Sequence, residues 1–333
     1  MPSTVSIIVP CYNEEQRIGF LLDAISAQTY PSDQMEVIIS DGHSTDRTRA
    51  VIADFQAAHP GLHLRLVDNH AQTIPAALNR AIEASSGQII IRLDAHSGPY
   101  PDYVERSVAA LEAGRGDNVG GLWEIQPGAQ TWQAEAIAVA ASHPLGVGDA
   151  LYRHAKTAAY VDTVPFGAWQ RSLLDKIGAY DETLLANEDY EFNARIRHAG
   201  GKIWLDPSIR SIYFARSTFG ALARQYFRYG FWKWQMLRRY PSTLRWRQAL
   251  PPLFVLSLII AGLLALAWPV FGWLLGFELL VYFGILGLFG LRSASRRRKP
   301  PLIIGLPLAI MLMHLAWGGG FLSSLLVWRR PAS

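Results

Sequence analysis

The placement of acidic residues constrains this chain more than any other feature. Of 27 Asp and Glu, 26 lie before residue 207 and only Glu278 lies after it. Lys and Arg are shared almost evenly, 15 before and 16 after, so the formal charge is −11 over 1–206 and +15 over 207–333. Three apolar runs interrupt the basic part, at 249–268, 270–291 and 302–328. About 20 apolar residues suffice to cross a bilayer core, so each run is a predicted membrane span. Glu278 costs ~2.5–3.5 kcal/mol at a helix centre. The 14 Leu, Ile, Val and Phe residues of its run return roughly 4–8 kcal/mol in sum, and insertion wins. Pro269 makes a tight hairpin of the first two runs, and Gly318-Gly319-Gly320 interrupts the third.

The segment before these runs carries no acid from Arg216 to Arg247 and alternates Arg228, Lys233, Arg238 and Arg239 with Tyr229, Trp232, Trp234 and Tyr240. Basic and aromatic side chains together mark a membrane–water boundary. Such a pattern can also stack single-stranded nucleic acid, but its position directly before apolar spans assigns it to lipid, and no nucleic-acid partner is expected. Cys11 is the single cysteine, which excludes an intrachain disulfide and a Cys-based zinc site. Pro10 follows only a few apolar residues and no basic leader, so no signal peptide is expected.

The first hundred residues alternate strand and helix patterns. Strands are predicted at 5–9, 35–39 and 62–67, each followed by apolar positions at helical spacing. Asn13 with Gln16 resembles a capping box for the first helix. Ser44 or Thr45 suits the cap of the second helix, and Thr73 with Pro75 the start of the third. Residues 89–97, Ile-Ile-Ile-Arg-Leu-Asp-Ala-His-Ser, read as a fourth strand covered on both faces and running into a polar end. This β-α-β-α-β-α-β order argues a mostly parallel sheet with helices on both faces, which binds ligands at the strands' carboxyl ends. Those ends carry Tyr12 to Glu14, then Asp41, then Asp94 and His96. In an extended chain Asp94 and His96 would share a face, and a carboxylate with an imidazole can hold a divalent metal. No dinucleotide fingerprint or P-loop is present.

Further on, helices are predicted over 101–113 and 131–142, a strand over 119–125, and a mobile acceptor-side loop over 143–164. Glu188-Asp189 opens a segment with Phe192, Ile196 and Ala199 at helical spacing, ended by Gly200-Gly201. Acids in a first turn also suit the helix dipole.

Pro10-Cys11-Tyr12-Asn13-Glu14, Asp41-Gly42-His43-Ser44-Thr45-Asp46 and Asp94-Ala95-His96 together resemble the nucleotide-sugar half of family-two glycosyltransferases of the GT-A fold. Residues 165–171, 177–182 and 187–191 resemble its acceptor half, so the resemblance covers about residues 3 to 240. It implies that Pro10, Tyr12, Glu14, Asp41 and Asp94 bind the nucleotide-sugar. Asp94 and His96, in place of the usual Asp-x-Asp, would hold Mn²⁺ or Mg²⁺. Asp189 would be the general base, with Glu188 supporting it. Ser40 stands where many relatives carry a further Asp. Gln225-Tyr226-Phe227-Arg228-Tyr229 resembles a Gln-x-x-Arg-Trp motif, which implies that Gln225 and Arg228 lie near the diphosphate. The surroundings of Asp94 and Gln225 also resemble succinoglycan-type exopolysaccharide glucosyltransferases, which points to UDP-glucose.

The expectation is a membrane-anchored inverting glycosyltransferase moving a sugar from a UDP-sugar to a lipid-linked saccharide. A GT-A domain would occupy 1–215, interfacial basic and aromatic helices 216–248, and about three transmembrane helices 249–330. Positive-inside counting places the neck and Arg296 to Lys299 on the cytosolic face of the inner membrane, and a third crossing would leave Ser333 outside. A processive polysaccharide synthase would differ in product length. A non-catalytic membrane scaffold retaining the same fold would lack metal-dependent transfer.

Overall fold

The protein is described by a computed structural model covering residues 2–327. The expected end of the third apolar run at Trp328 and the side on which Ser333 lies fall outside the described residues. The chain divides into two compact units. One joins Met1–Glu124 to Leu151–Tyr213; the other joins Ile125–Ala150 to the chain from Phe214 onward.

The first unit begins with β1 (Val5–Cys11), α1 (Ile18–Ser26), β2 (Met35–Asp41), α2 (Thr48–Ala58), β3 (His63–Asp68), α3 (Ile74–Ala84) and β4 (Ile89–Arg92). These four strands pair in parallel in the order β3-β2-β1-β4. Ile7, Ile8, Val9, Val37, Ile38, Ile39, Ile89, Ile90 and Ile91 are fully buried, as a sheet covered on both faces requires. Burying each such side chain contributes about 1.5–3 kcal/mol.

The chain continues through β5 (Ser97–Pro99), α4 (Tyr103–Glu112) and β6 (Asn118–Gln126), then α5 (Trp132–Ser142) and α6 (Pro144–Val147). There follow β7 (Ala159–Tyr160), β8 (Ala168–Gln170), α7 (Leu173–Ile177), α8 (Glu188–His198) and β9 (Ile203–Phe214). The sheet extends from β4 through β8, β6, β9 and β5, with β7 on β9. Strand β8 runs antiparallel to both β4 and β6, and β9 antiparallel to β5 and β7. The predicted loop over 143–164 thus contains α6, a short turn of helix and β7.

Two local expectations change. Strand β4 ends at Arg92, and residues 94–97 form a turn in which Ser97 N and Oγ both donate to Asp94 O, at 2.9 and 2.7 Å. Asp94 and His96 are therefore presented by a turn, not by the alternation of a strand. Asn13 takes a left-handed φ of 53° and does not cap α1. Its Oδ1 accepts from Thr45 N at 2.8 Å, while Ser44 Oγ accepts from Asn13 N at 2.8 Å. These bonds tie the loop after β1 to the loop after β2.

The second unit holds α5, α6, α9 (Phe219–Leu237), α10 (Trp246–Ala265), α11 (Pro269–Arg297) and α12 (Leu302–Leu326). The last three are long and apolar enough to be candidate membrane spans. Residues of α5, α11 and α12 share one apolar core that includes Ile137, Leu286, Leu306 and Met313.

Candidate functional site

The carboxyl ends of the parallel strands are built from loops that satisfy one another. Glu14 N donates to Thr48 Oγ1 at 2.7 Å and Arg47 N to Glu15 Oε2 at 2.9 Å. The Tyr12 ring lies against Gly42, where a Cβ would stand 3.2 Å from Tyr12 Cδ2, and the Tyr12 side chain is otherwise well exposed. Asp41 is fully buried. Its Oδ1 accepts from Ser44 Oγ and its Oδ2 from Arg49 Nε, each at 2.5 Å, and Ser44 N also donates to Oδ2. Arg49 also pairs with Asp68. Asp41 therefore acts on the surface of this cradle through Ser44 and Arg49, while Tyr12 presents an open ring.

Arg92 gathers a cluster of acids at the end of β4. It is 2% exposed, and its guanidinium meets Asp94 Oδ1 at 3.0 Å, Glu188 Oε1 at 2.9 Å and Asp189 Oδ1. One strand end thus gathers acids that are almost a hundred residues apart in sequence. Three carboxylates around one guanidinium leave local negative charge, which suits a further cation. The Asp189 carboxyl is raised above the ordinary carboxylate range: burial pushes it up, Arg92 pulls it back, and Glu188 and Asp94 push it up again. Arg92 was not singled out from the sequence. The available signal was a lone charge within an Ile-rich strand, since buried charges must be paired.

Helix α8 delivers Glu188 and Asp189 from its first turn. Asn187 before it takes φ 65°, and Phe192 and Ile196 bury the helix. The Phe192 ring packs on Trp169 and Tyr180 at centroid distances of 4.9 and 4.7 Å. Asn193 donates to Thr163 Oγ1 and Val164 O and accepts from Asn118 Nδ2 at 2.7 Å. Gly167 lies where a Cβ would stand 2.4 Å from Asn118 Oδ1, and its carbonyl accepts from Arg92 N at 3.0 Å. The backbone there has no room for a side chain.

His96 Nδ1 lies 2.9 Å from Glu14 Oε1. With the proton on Nδ1, the Nε2 lone pair is oriented as in a metal-binding imidazole backed by a carboxylate. Asp94 and His96 thus fit a divalent cation in donor chemistry. Among the described residues, no three His, Cys, Asp or Glu side chains are grouped to hold a metal. A cation here would therefore draw further oxygens from a bound diphosphate and water. An aromatic wall adjoins His96: Tyr213 lies edge-on to it at 5.8 Å and stacks on Trp123 at 4.1 Å.

Gln225 and Arg228 lie on α9, in the second unit. Gln225 Nε2 donates to Tyr229 Oη at 2.9 Å, one turn along the same helix.

Residues 6–178 match the model of "Glycosyl transferase family 2". Over 97% of both chains, this chain is 28% identical to the dolichyl N-acetyl-alpha-D-glucosaminyl phosphate 3-beta-D-2,3-diacetamido-2,3-dideoxy-beta-D-glucuronosyltransferase of Methanococcus voltae. It is 32% identical to the succinoglycan biosynthesis protein ExoA of Rhizobium meliloti, over 99% of this chain and 98% of that protein. Its fold is similar to that of the mannosyltransferase PcManGT of Pyrobaculum calidifontis, solved with GDP-Man and Mn²⁺. The TM-score is 0.58 at 20% identity, covering 94% of this chain and 87% of that one. With a GT-A-like mixed sheet, a family model matching more than half its length and near-full-length relatives, the chain belongs to glycosyl transferase family 2 and is a nucleotide-sugar-dependent glycosyltransferase.

Proposed function

We propose that this protein transfers one sugar, with inversion, from a UDP-sugar to a lipid-linked saccharide at the cytosolic face of the inner membrane. The observation that carries the reading is the convergence of Asp94, Glu188 and Asp189 on Arg92. A sugar hydroxyl is a weak nucleophile and needs a carboxylate within hydrogen-bond reach. Asp189 would take the proton as the acceptor oxygen bonds to the anomeric carbon. The bond from that carbon to the diphosphate oxygen breaks in the same displacement, and the electron pair leaves with the nucleotide. Arg92 fixes the position of Asp189, and Glu188 braces Arg92 from the same helix turn.

Asp94 and His96 would hold Mn²⁺ or Mg²⁺, which would offset charge on the departing diphosphate. Glu14 would keep the His96 ring oriented. Tyr12 would stack on the base, with Pro10 shaping the loop and Asp41 holding Ser44 and Arg49 in place for the nucleoside. Gln225 and Arg228 offer a side-chain amide and a guanidinium fork, the latter suited to a diphosphate. A lipid-linked acceptor is supported by the named substrate of the Methanococcus relative and by the three apolar helices of this chain. UDP-glucose is the favoured donor. Incubating purified protein and lipid-linked acceptor with UDP-, GDP- and dTDP-sugars and Mn²⁺ tests the reading. One sugar added from a UDP-sugar is the expected result; transfer from GDP- or dTDP-sugars alone, or a polymer, would contradict it.

A further inference from the structure

The three apolar helices are alike in hydropathy but not in length or surroundings. Between Gly305 and Ser324, α12 has no exposed position. Helices α10 and α11 instead turn large side chains outward, including Leu253, Ile259 and Leu263 on one and Trp273, Phe277, Leu280 and Leu288 on the other, and Leu266 just past the end of α10 is exposed as well. They pack on each other as a hairpin. Phe254 stacks on Tyr282 at 4.4 Å, and Ser257 Oγ donates to Glu278 Oε1 at 2.6 Å, which turns that acid into the hairpin seam.

The base of this hairpin carries Arg245, Arg247 and Arg292 to Lys299, and its tip carries Trp268 and Trp273. From Arg247 to Ala265, where α10 ends, the helix rises about 27 Å, and from Trp273 to Arg292 α11 rises about 29 Å. Both match a hydrocarbon core of about 30 Å with cations at one face and tryptophans at the other.

Helix α12 does not follow the hairpin to its tip. Its amino end leaves the base through the short turn after Arg297, and a Cβ on Gly290 of α11 would stand 2.6 Å from Ile303 O. Its carboxyl half passes the lower part of the hairpin: His314 Nδ1 lies 3.0 Å from Tyr282 Oη, and a Cβ on Gly318 would stand 2.6 Å from Val255 Cγ2. Trp317 Nε1 donates to Gln248 O, in the first turn of α10, at 3.2 Å, and a Cβ on Gly318 would stand 2.5 Å from Pro251 O. Ser324 Oγ accepts from Gln235 at 2.9 Å, near the end of α9, which is joined to α10 by only a short link. Helix α9 lies against this half so closely that Cβ atoms on Gly230 and Gly320 would stand 2.1 Å from Trp317 O and Phe227 O. On other sides lie Ala136 of α5, next to Gly305, and Leu145 O of α6, which is 2.8 Å from His314 Nε2. A crossing α12 would carry residues 317–324 deep into hydrocarbon and drag α9, with Arg224, Arg228 and Lys233, along with it. Cations there are strongly disfavoured.

We infer that only the α10–α11 hairpin crosses the bilayer, and that α12 is the spine of the membrane-proximal body, more covered than the other two helices, with both of its ends on the side of the hairpin base. The lipid bilayer is the partner of the exposed hairpin surface, and the Gly318-Gly319-Gly320 run serves helix packing. The inference is independent of donor and acceptor.

Single cysteines introduced as Arg296→Cys at the base, Leu266→Cys at the tip and Leu326→Cys at the end of α12 test it in the full chain. All three positions are exposed in the protein, and native Cys11 is buried. Sealed right-side-out and inverted vesicles are treated with a membrane-impermeant maleimide. Leu326→Cys is expected to label from the same side as Arg296→Cys, at least tenfold faster than from the other, while Leu266→Cys labels only from the opposite side. Labelling of Leu326→Cys from the tip side, or only after detergent, would overturn the inference. So would labelling of Leu266→Cys from the base side, which would assign the hairpin surface to a protein partner or a second copy.

Discussion

Nη2 of Arg92 stands 2.9 Å from Oε1 of Glu188, a residue 96 positions further along the chain. The contact joins the end of a parallel strand to the first turn of α8, so the guanidinium is a fold contact and, in the proposed mechanism, the group that holds the base. Arg92→Met would leave Asp94, Glu188 and Asp189 facing one another unpaired. Breaking a buried pair costs about 3–5 kcal/mol; a fall of that size in unfolding free energy is expected by denaturant titration. Arg92→Lys keeps the charge without the fork, and should recover much of the stability and little of the transfer rate.

The raised Asp189 carboxyl sets the pH dependence. A base works as the carboxylate, and a raised value means that the protonated form persists to higher pH than for an ordinary Asp. The turnover rate should therefore climb with pH through a limb lying well above about pH 4, the unperturbed Asp value. A profile flat from about pH 5 upward at saturating cation would contradict the placement of the base among those neighbours.

His96 and its Glu14 partner predict the response to metal. Chelation should abolish transfer, and added Mn²⁺ should restore it. Glu14→Gln should raise the Mn²⁺ concentration needed for half activity by about 10–100-fold, because Glu14 orients the ring without binding the ion, and His96→Ala by more, because it removes the donor itself. Mn²⁺ titration of each variant, read both by activity and by Mn²⁺ paramagnetic resonance, separates a lost ligand from a damaged fold.

At the amino edge of the sheet, burial raises the Glu36 carboxyl, but bonds from Ser6, Ser86 and Arg65 outweigh it and bring it down to about 2. A depressed acid stabilises the fold above its unfolded value, and that contribution is lost as pH falls through the folded value. It should be full above about pH 4.5 and mostly gone by pH 2, amounting to about 2–3 kcal/mol. Glu36→Gln should flatten this part of the stability curve; an unchanged acid slope would contradict the assignment.

The parallel half of the sheet was legible because Ile7 to Val9, Val37 to Ile39 and Ile89 to Ile91 are apolar on both faces, a pattern only a covered strand needs. The antiparallel half was harder to read, since β7 and β8 span two and three residues, too few for a period. The Asp94 and His96 cluster was legible as chemistry but not as geometry, because nothing in the composition of 89–97 marks where the strand gives way to a turn. Arg92 reads from the sequence only as a lone charge within an Ile-rich strand; its partners Glu188 and Asp189 come from α8, which no local pattern connects to it. Hydropathy finds α10, α11 and α12 alike, and does not show that α12 is more covered by neighbouring helices than the other two.

Whether Asp189 is the base in a cation-dependent sugar transfer is decided by comparing donor binding with transfer in a single variant. Asp189→Asn keeps the size and much of the hydrogen bonding of the side chain, so donor binding, followed by calorimetry with the UDP-sugar and Mn²⁺, should stay within a few-fold of the parent protein. Its rate of transfer to the lipid-linked acceptor should fall by about 10²–10⁴. A folded Asp189→Asn protein that binds donor and transfers at close to the parent rate would contradict the account.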